Sequence, residues 1–109
     1  MTRAIAAAAF AAAAVWVAAA PVRAETVRIE VKALAFSPVQ VTAHVGDTLE
    51  WVNADFVAHT ATAKNNEFDV SLSAGKSGRA VLKKPGKVDY FCRFHPNMAG
   101  QVTVEEARH

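Results

Sequence analysis

The sequence is poor in cysteine and carries almost no net charge. Its single cysteine, Cys92, excludes an internal disulfide, a cysteine-rich zinc finger, a Cys-x-x-Cys redox motif and c-type haem attachment. Twelve basic and 10 acidic residues give a formal charge of +2, and two of the basic residues, Arg3 and Arg23, lie in an alanine-rich N-terminal segment. Residues 25–109 are therefore formally neutral, which argues against a nucleic-acid-binding protein. The length of 109 residues leaves room for one domain.

Residues 1–24 have the composition of a secretory signal peptide. Thirteen of them are alanine, Arg3 provides a positive start, and an apolar run from Ala4 to Ala20 precedes Pro21. The run is shorter than the ~20 residues that a spanning helix needs, which favours a cleaved leader over an uncut membrane anchor. We predict cleavage after Ala24, export to the periplasm, and a mature domain of residues 25–109 that does not associate with the membrane.

Apolar and polar residues alternate with a period of two in the mature chain, a pattern typical of strands. The predicted strands cover residues 26–32, 39–42, 48–53, 60–62, 79–82, 87–92 and 101–105. Residues 64–78 are mostly polar and predict a loop with at most one irregular strand. Six to eight short strands without a helix predict an all-β fold, an antiparallel sandwich or barrel. Its core is predicted to contain Val27, Ile29, Val31, Leu34, Phe36, Val41, Leu49, Trp51, Leu82, Val88, Tyr90, Val102 and Val104.

Three residue types that bind metals lie between the last two predicted strands. Cys92, His95 and Met98 have the spacing Cys-x-x-His-x-x-Met. Thiolate and imidazole suit several metals, but the soft thioether favours copper, and two histidines, one cysteine and a weak axial methionine form a type I copper site. Both His59 and His44 are candidates for the second histidine. A metal site also accounts for an unpaired thiol in an oxidising compartment.

The spacing of these residues also indicates a rigid site. Cys92 ends a predicted strand, and a short loop brings His95 and Met98 back around the same point before Gly100 starts the next strand. Pro96 stiffens this loop because its ring fixes its own φ and restricts the residue before it. A rigid cage changes little between Cu(II) and Cu(I), and small rearrangement favours fast electron transfer.

The sequence resembles the cupredoxins, the small type I copper proteins, over residues 25–105. The two-residue gap between His95 and Met98 is that of the amicyanin branch, and the chain is also similar to plastocyanins and pseudoazurins, whose gap is longer. The motifs that carry the resemblance are Phe36-Ser37-Pro38, the segment 45–53, His59, Lys84-Pro85-Gly86 and the segment 92–98. The resemblance implies a Greek-key sandwich of about eight strands.

The resemblance also implies the ligand set. One type I copper ion would be held by His59, Cys92, His95 and Met98, with His95 nearest to solvent in an apolar patch. His44 matches no position of the family pattern.

Three residues near the expected site depart from the family pattern. Thr60 follows His59 where relatives commonly carry an asparagine that ties the two ligand loops together. Phe94 precedes His95 where amicyanins usually carry proline. Arg93 places a cation beside the site, which favours Cu(I), raises the reduction potential and could select an acidic partner.

The residues and the resemblance together predict a monomeric periplasmic electron-transfer protein rather than an enzyme. A copper oxidase or nitrite reductase needs further histidine-rich copper sites, and only His44 and His109 remain. The resemblance implies redox proteins as partners, such as a c-type cytochrome or a periplasmic dehydrogenase. The alternative is a copper carrier or buffer that uses the same ligands. A red absorption band with reversible redox chemistry distinguishes the electron-transfer protein from the carrier.

Overall fold

The protein is described here by a computed structural model that covers residues 23–108. The predicted leader up to residue 22 and His109 lie outside the described residues. Within residues 23–108 the chain forms nine strands and no helix, and consequently no helix that could span a membrane. The strands are β1 (Thr26–Lys32), β2 (Ala35–Ser37), β3 (Gln40–His44), β4 (Thr48–Asn53), β5 (His59–Ala63), β6 (Asp69–Leu72), β7 (Ser77–Val81), β8 (Gly86–Cys92) and β9 (His95–Glu105).

The strands form two sheets around one core, which confirms the predicted all-β sandwich. One sheet has the order β2-β1-β4-β7 and the other the order β3-β9-β8-β5-β6. Two strand pairs depart from the predicted antiparallel arrangement, because β1 lies parallel to β4 and β3 lies parallel to β9. The chain leaves the first sheet after β2 and returns to it at β4. Such a crossover permits parallel pairing, which a tight hairpin cannot.

The alternation in the sequence places one face of each strand in the core. In β1, Ile29 and Val31 are fully buried while the polar residues between them face solvent. The largest buried side chains form an aromatic cluster at the centre of the sandwich. Tyr90 packs edge-on against Phe36 with ring centroids 4.7 Å apart, and against Trp51 at 5.6 Å. The predicted strand within the polar segment 64–78 is β6.

Leu34 was predicted to lie in the core, and this was wrong. Ala33 and Leu34 form the turn between β1 and β2 with φ values of +52° and +59°, and the Leu34 side chain is exposed. The turn is held by the carboxylate of Asp55, which accepts a hydrogen bond from the Ala33 amide at 2.9 Å. The alternating pattern of β1 stops at this turn, so Leu34 no longer points between the sheets.

Candidate metal centre

Cys92 and His95 face each other across the tightest hairpin of the second sheet. Strand β8 ends at Cys92, Arg93 and Phe94 form a two-residue turn, and β9 begins at His95. The sequence predicted a loop that continues to Gly100. In the structure His95 pairs with Cys92 directly after the turn, residues 96–98 have no partner in β8, and regular pairing resumes at Ala99. The register is irregular between Phe91 and Cys92, which lets Cys92 pair with His95. Both side chains are therefore fixed by strand pairing.

The first residue of β5 completes a cluster of three metal-binding side chains. The Cys92 Sγ atom lies 3.7 Å from His59 Nδ1 and 3.8 Å from His95 Nδ1. The three donor atoms all lie within 4.8 Å of one another. His59 and Cys92 are buried, whereas His95 is partly exposed.

The two nitrogen–sulfur separations fit a single metal ion shared by the three donors. Protein metal–nitrogen and metal–sulfur bonds are about 2.0 and 2.3 Å long for a comparable divalent ion. Donors spaced about 120° apart around such an ion would place nitrogen and sulfur about 3.7 Å from each other. The observed distances of 3.7 and 3.8 Å agree with this value. Two imidazoles and one thiolate in this arrangement suit copper.

Met98, the predicted fourth ligand, is buried within β9, three residues after His95. It lines a shallow surface pocket together with His95 and four neighbours, Leu34, Phe94, Pro96 and Asn97. Leu34 and Phe94 are exposed, so the pocket opens into an apolar surface. His95 is the most accessible of the three clustered donors, as the family resemblance implied.

Asp55 fixes the orientation of the buried His59 ring. The His59 Nε2 atom lies 2.7 Å from Asp55 Oδ2, on the opposite side of the ring from Cys92. With Nε2–H donating to this carboxylate, Nδ1 is left unprotonated and free to bind a metal. Hydrogen bonds from the Ala33 amide and from His59 lower the pKa of Asp55, so the carboxylate is charged at neutral pH.

The loop that carries Asp55 is itself anchored by a buried amide side chain. Asn53 accepts a hydrogen bond from the Asp55 amide at 2.9 Å, and its Nδ2 group donates to the carbonyls of Val57 and Leu72 at 2.9 and 3.0 Å. These bonds tie the β4–β5 loop to β6. This role of Asp55 was not predicted from the sequence. A carboxylate four residues before a candidate ligand histidine was the available signal.

Thr60 links the two ligand segments despite replacing the expected asparagine. Its amide donates to Cys92 Sγ at 3.3 Å, and its hydroxyl oxygen accepts a hydrogen bond from the Arg93 amide at 2.9 Å. The residue is buried. The Thr60 backbone and hydroxyl therefore connect the start of β5 to the β8–β9 turn.

The surroundings of Cys92 favour its thiolate. Burial alone raises the pKa of the thiol, but hydrogen bonds led by those from the Thr60 amide and the His95 ring outweigh this effect and lower the pKa to about 6. A thiolate is the form of cysteine that binds metals. The protein thus stabilises the ligand form of Cys92 before any metal binds.

The cation of Arg93 is held beside the site by a surface carboxylate. Arg93 Nη2 lies 3.3 Å from Asp69 Oδ1, and both side chains are about half exposed. An ion pair at such a surface contributes little to stability. Arg93 lies in the turn between two candidate ligands, so its charge stays near the site while Asp69 partly offsets it.

His44 lies outside the metal-binding cluster. It is the last residue of β3, and its ring is partly buried between Asp47 and Glu105, with Nε2 3.2 Å from the Glu105 carboxylate. Among the described residues, the cluster contains His59, Cys92 and His95 only.

Comparisons with known proteins agree with this architecture. The sequence profile of the cupredoxin-like domain matches residues 4–104. Amicyanin of Paracoccus versutus is 30% identical over 83 residues, which span 71% of this chain and 63% of that protein.

Solved structures with the same fold include a purple cupredoxin from Nitrosopumilus maritimus. It is 29% identical, with a TM-score of 0.64 over 72% of this chain and 98% of that one. A reduced amicyanin variant is 23% identical, with a TM-score of 0.65 over 73% of this chain and 82% of that one. The extent of the profile match and the two-sheet sandwich lead to one conclusion: the chain belongs to the cupredoxin family.

Proposed function

We propose that this protein is a periplasmic electron-transfer protein that cycles one type I copper ion between Cu(II) and Cu(I). The observation that carries the proposal is the placement of two imidazole Nδ1 atoms at 3.7 and 3.8 Å from a single cysteine sulfur. His59 and His95 would supply the nitrogen ligands, Cys92 the thiolate and Met98 a weak axial sulfur. Bound copper supplies the one-electron redox change.

The residues around the ligands support fast electron exchange by limiting motion. Asp55 holds the His59 ring, Thr60 joins the two ligand segments, and strand pairing fixes Cys92 and His95. Ligands that are held in one geometry need little rearrangement when the charge of the site changes. The chain thus lowers the barrier to electron exchange without transforming a substrate.

The partly exposed His95 is the proposed route for electrons to and from partner proteins. It lies in the pocket bordered by the exposed side chains of Leu34 and Phe94. A small apolar surface suits the brief encounters of redox proteins. We propose a c-type cytochrome or a periplasmic oxidoreductase as the partner. We also propose that the electron-transfer protein itself is a monomer.

Voltammetry tests this function against the alternative of a copper carrier. An electron-transfer protein should give a reversible one-electron wave and should exchange electrons rapidly with a c-type cytochrome. A copper carrier should instead release copper to a chelator or acceptor protein as fast as it exchanges electrons. An irreversible wave accompanied by copper loss would contradict the proposal.

Changing the axial ligand should shift the reduction potential while copper stays bound. We predict that Met98→Gln lowers the potential, because an oxygen donor favours Cu(II) over Cu(I). A tenfold gain in relative Cu(II) affinity corresponds to about 59 mV for one electron. Voltammetry and metal analysis of the variant provide the test. Complete loss of copper would assign Met98 a structural role in the site instead.

Neutralising Asp55 should raise the potential, because the carboxylate makes His59 a better ligand for Cu(II). We predict that Asp55→Asn weakens Cu(II) binding by about tenfold relative to Cu(I), which corresponds to an increase of about 59 mV. Asp69→Asn is the matched control, since it removes the same charge from a surface carboxylate that contacts Arg93 but no ligand. Equal shifts in the two variants would show that charge alone, without contact to His59, sets the potential.

A further inference from the structure

A buried carboxylate lies at the end of the sandwich remote from the metal centre. Asp47, in the turn between β3 and β4, is fully buried. Its neighbour Val45 donates to the carbonyl of Glu105, the last residue of β9, whereas His95 is the first residue of that strand. A strand rises about 3.3 Å per residue, so Asp47 and His95 lie roughly 30 Å apart. This carboxylate therefore plays no part in metal binding.

Three groups donate hydrogen bonds to Asp47. Its Oδ1 atom accepts from the Glu25 amide at 2.9 Å and from Arg108 Nη1 at 2.6 Å, and its Oδ2 atom accepts from the His44 amide at 2.9 Å. Burial raises the pKa of Asp47, but the bonds from Arg108, Glu25 and His44 outweigh it and lower the pKa to about 2. Asp47 is therefore ionised at neutral pH.

Several charged groups surround this carboxylate. Arg108 also contacts the Glu25 carboxylate at 3.3 Å. Arg23 lies on the exposed surface, 3.9 Å from the Glu25 carboxylate. The His44 ring lies between Asp47, at 3.9 Å, and Glu105, at 3.2 Å. Among the described residues, Arg108 is the one arginine or lysine paired with Asp47.

Within residues 23–108, Glu25 is the first residue with both backbone groups bonded to the sandwich. Its nitrogen donates to Asp47, and its carbonyl accepts from the Thr48 amide at 2.9 Å. Arg23 and Ala24, which precede it, are exposed, and β1 begins one residue later. The nitrogen of Glu25 is also the atom that the predicted leader cleavage would turn into a new N-terminus.

We propose that Glu25 is the first residue of the mature protein and that its α-ammonium group forms an ion pair with the buried carboxylate of Asp47. A signal peptidase would hydrolyse the Ala24–Glu25 peptide bond with one water molecule, leaving a carboxylate on Ala24 and an ammonium group on Glu25. A peptide nitrogen offers one N–H group, whereas the ammonium offers three and a positive charge at the same position. Cleavage thus converts a neutral donor into an ionic one.

The ion pair stabilises the mature chain over a defined pH range. The carboxylate raises the pKa of the α-ammonium in the folded state above its ordinary value of about 8. The added stability is therefore fully present below about pH 8 and is lost as the pH rises through the folded-state pKa. The side chains of Glu25, His44, Glu105 and Arg108 also face this region, as does Arg23 in a chain that retains it. The titration of the first four cancels when two chains that share them, and that both lack Arg23, are compared.

Comparing a chain that starts at Glu25 with one that starts at Ala24, and so differs by one neutral residue, tests the proposal. Both are prepared from a cleavable fusion that leaves no extra residue, and urea unfolding is measured at the same metal content at about pH 7 and pH 10.5. The ammonium adds charge–charge attraction to the hydrogen bond that the Glu25 amide already donates to the ionised carboxylate. About 1 kcal/mol of such attraction would give the Glu25 chain about a fivefold larger folding equilibrium constant at pH 7. The advantage should shrink at pH 10.5.

Asp47→Asn in both chains isolates the carboxylate. The advantage of the Glu25 chain should disappear in this pair, and equal stabilities of the unsubstituted chains at pH 7 would overturn the proposal. If Asp47→Asn does not fold, the α-amine of the Glu25 chain is acetylated instead. Acetylation removes the positive charge and should abolish the stability advantage of that chain. Mass spectrometry of the exported protein should show Glu25 as the first residue, and any other start would contradict the proposal. None of these measurements depends on the proposed copper function.

Discussion

The Cys92→Ser variant should lack the intense red absorption of the copper-loaded protein. The band arises from charge transfer between a thiolate and Cu(II), and Cys92 is the only cysteine of the chain. Losing the soft sulfur should also weaken Cu(I) binding by more than ~100-fold, beyond the effect typical of residues that only orient a ligand. Absorption spectroscopy and competition with a Cu(I) chelator measure the two effects.

Serine is close to cysteine in size, so the fold should survive the substitution. Circular dichroism and urea unfolding of the metal-free protein provide the control, because they separate loss of a ligand from loss of the sandwich. An unchanged red band in Cys92→Ser would contradict the type I assignment. Wild-type Cu(I) affinity in the variant would show that the thiolate does not bind the metal.

Gly100→Val should destabilise the sandwich by about 3 kcal/mol. Gly100 pairs with Tyr90 across β8 and β9, and a Cβ atom at this position would lie 2.9 Å from the Tyr90 ring atom Cε1 and closer still to Cζ. Tyr90 is fully buried against Phe36 and Trp51 and cannot move aside without disturbing the aromatic cluster. Urea unfolding of the metal-free protein measures the loss.

Ala99→Val is the matched control for this substitution. Ala99 is the neighbouring residue in β9, but it is exposed. Valine suits a strand, so the control should change the free energy of unfolding by less than about 0.5 kcal/mol. Equal losses in the two variants would contradict the close contact between Gly100 and Tyr90.

The strands and much of the core could be predicted because a period of two is a local property of the sequence. The predicted first strand, 26–32, coincides with β1, and its buried residues Ile29 and Val31 follow the alternation. Leu34 shows where this reasoning fails. Its position depends on a turn with positive φ that is held by Asp55, 21 residues further along the chain. The parallel pairs likewise depend on crossovers between the sheets. The alternation of polar and apolar residues does not predict such crossovers.

The metal centre could be predicted only in part for the same reason. Cys92 and His95 lie close in the chain, and their spacing alone indicated a shared site. The contribution of His59 came from family resemblance, because 33 residues separate it from Cys92. The roles of Asp55 and Thr60 depend on which side of a ring or sulfur each residue faces. Such details follow from the packing of loops rather than from local pattern.

Titration of the metal-free protein with Cu(II), followed by its visible spectrum, tests whether the chain forms a type I copper site. We predict an intense red band that grows up to one equivalent of copper and then stops. The band should vanish on reduction and return on reoxidation. One equivalent is expected because the described residues contain a single cluster of imidazole and thiolate donors. Stoichiometric copper binding without a red band, or a band that is lost irreversibly on reduction, would contradict a type I electron-transfer site.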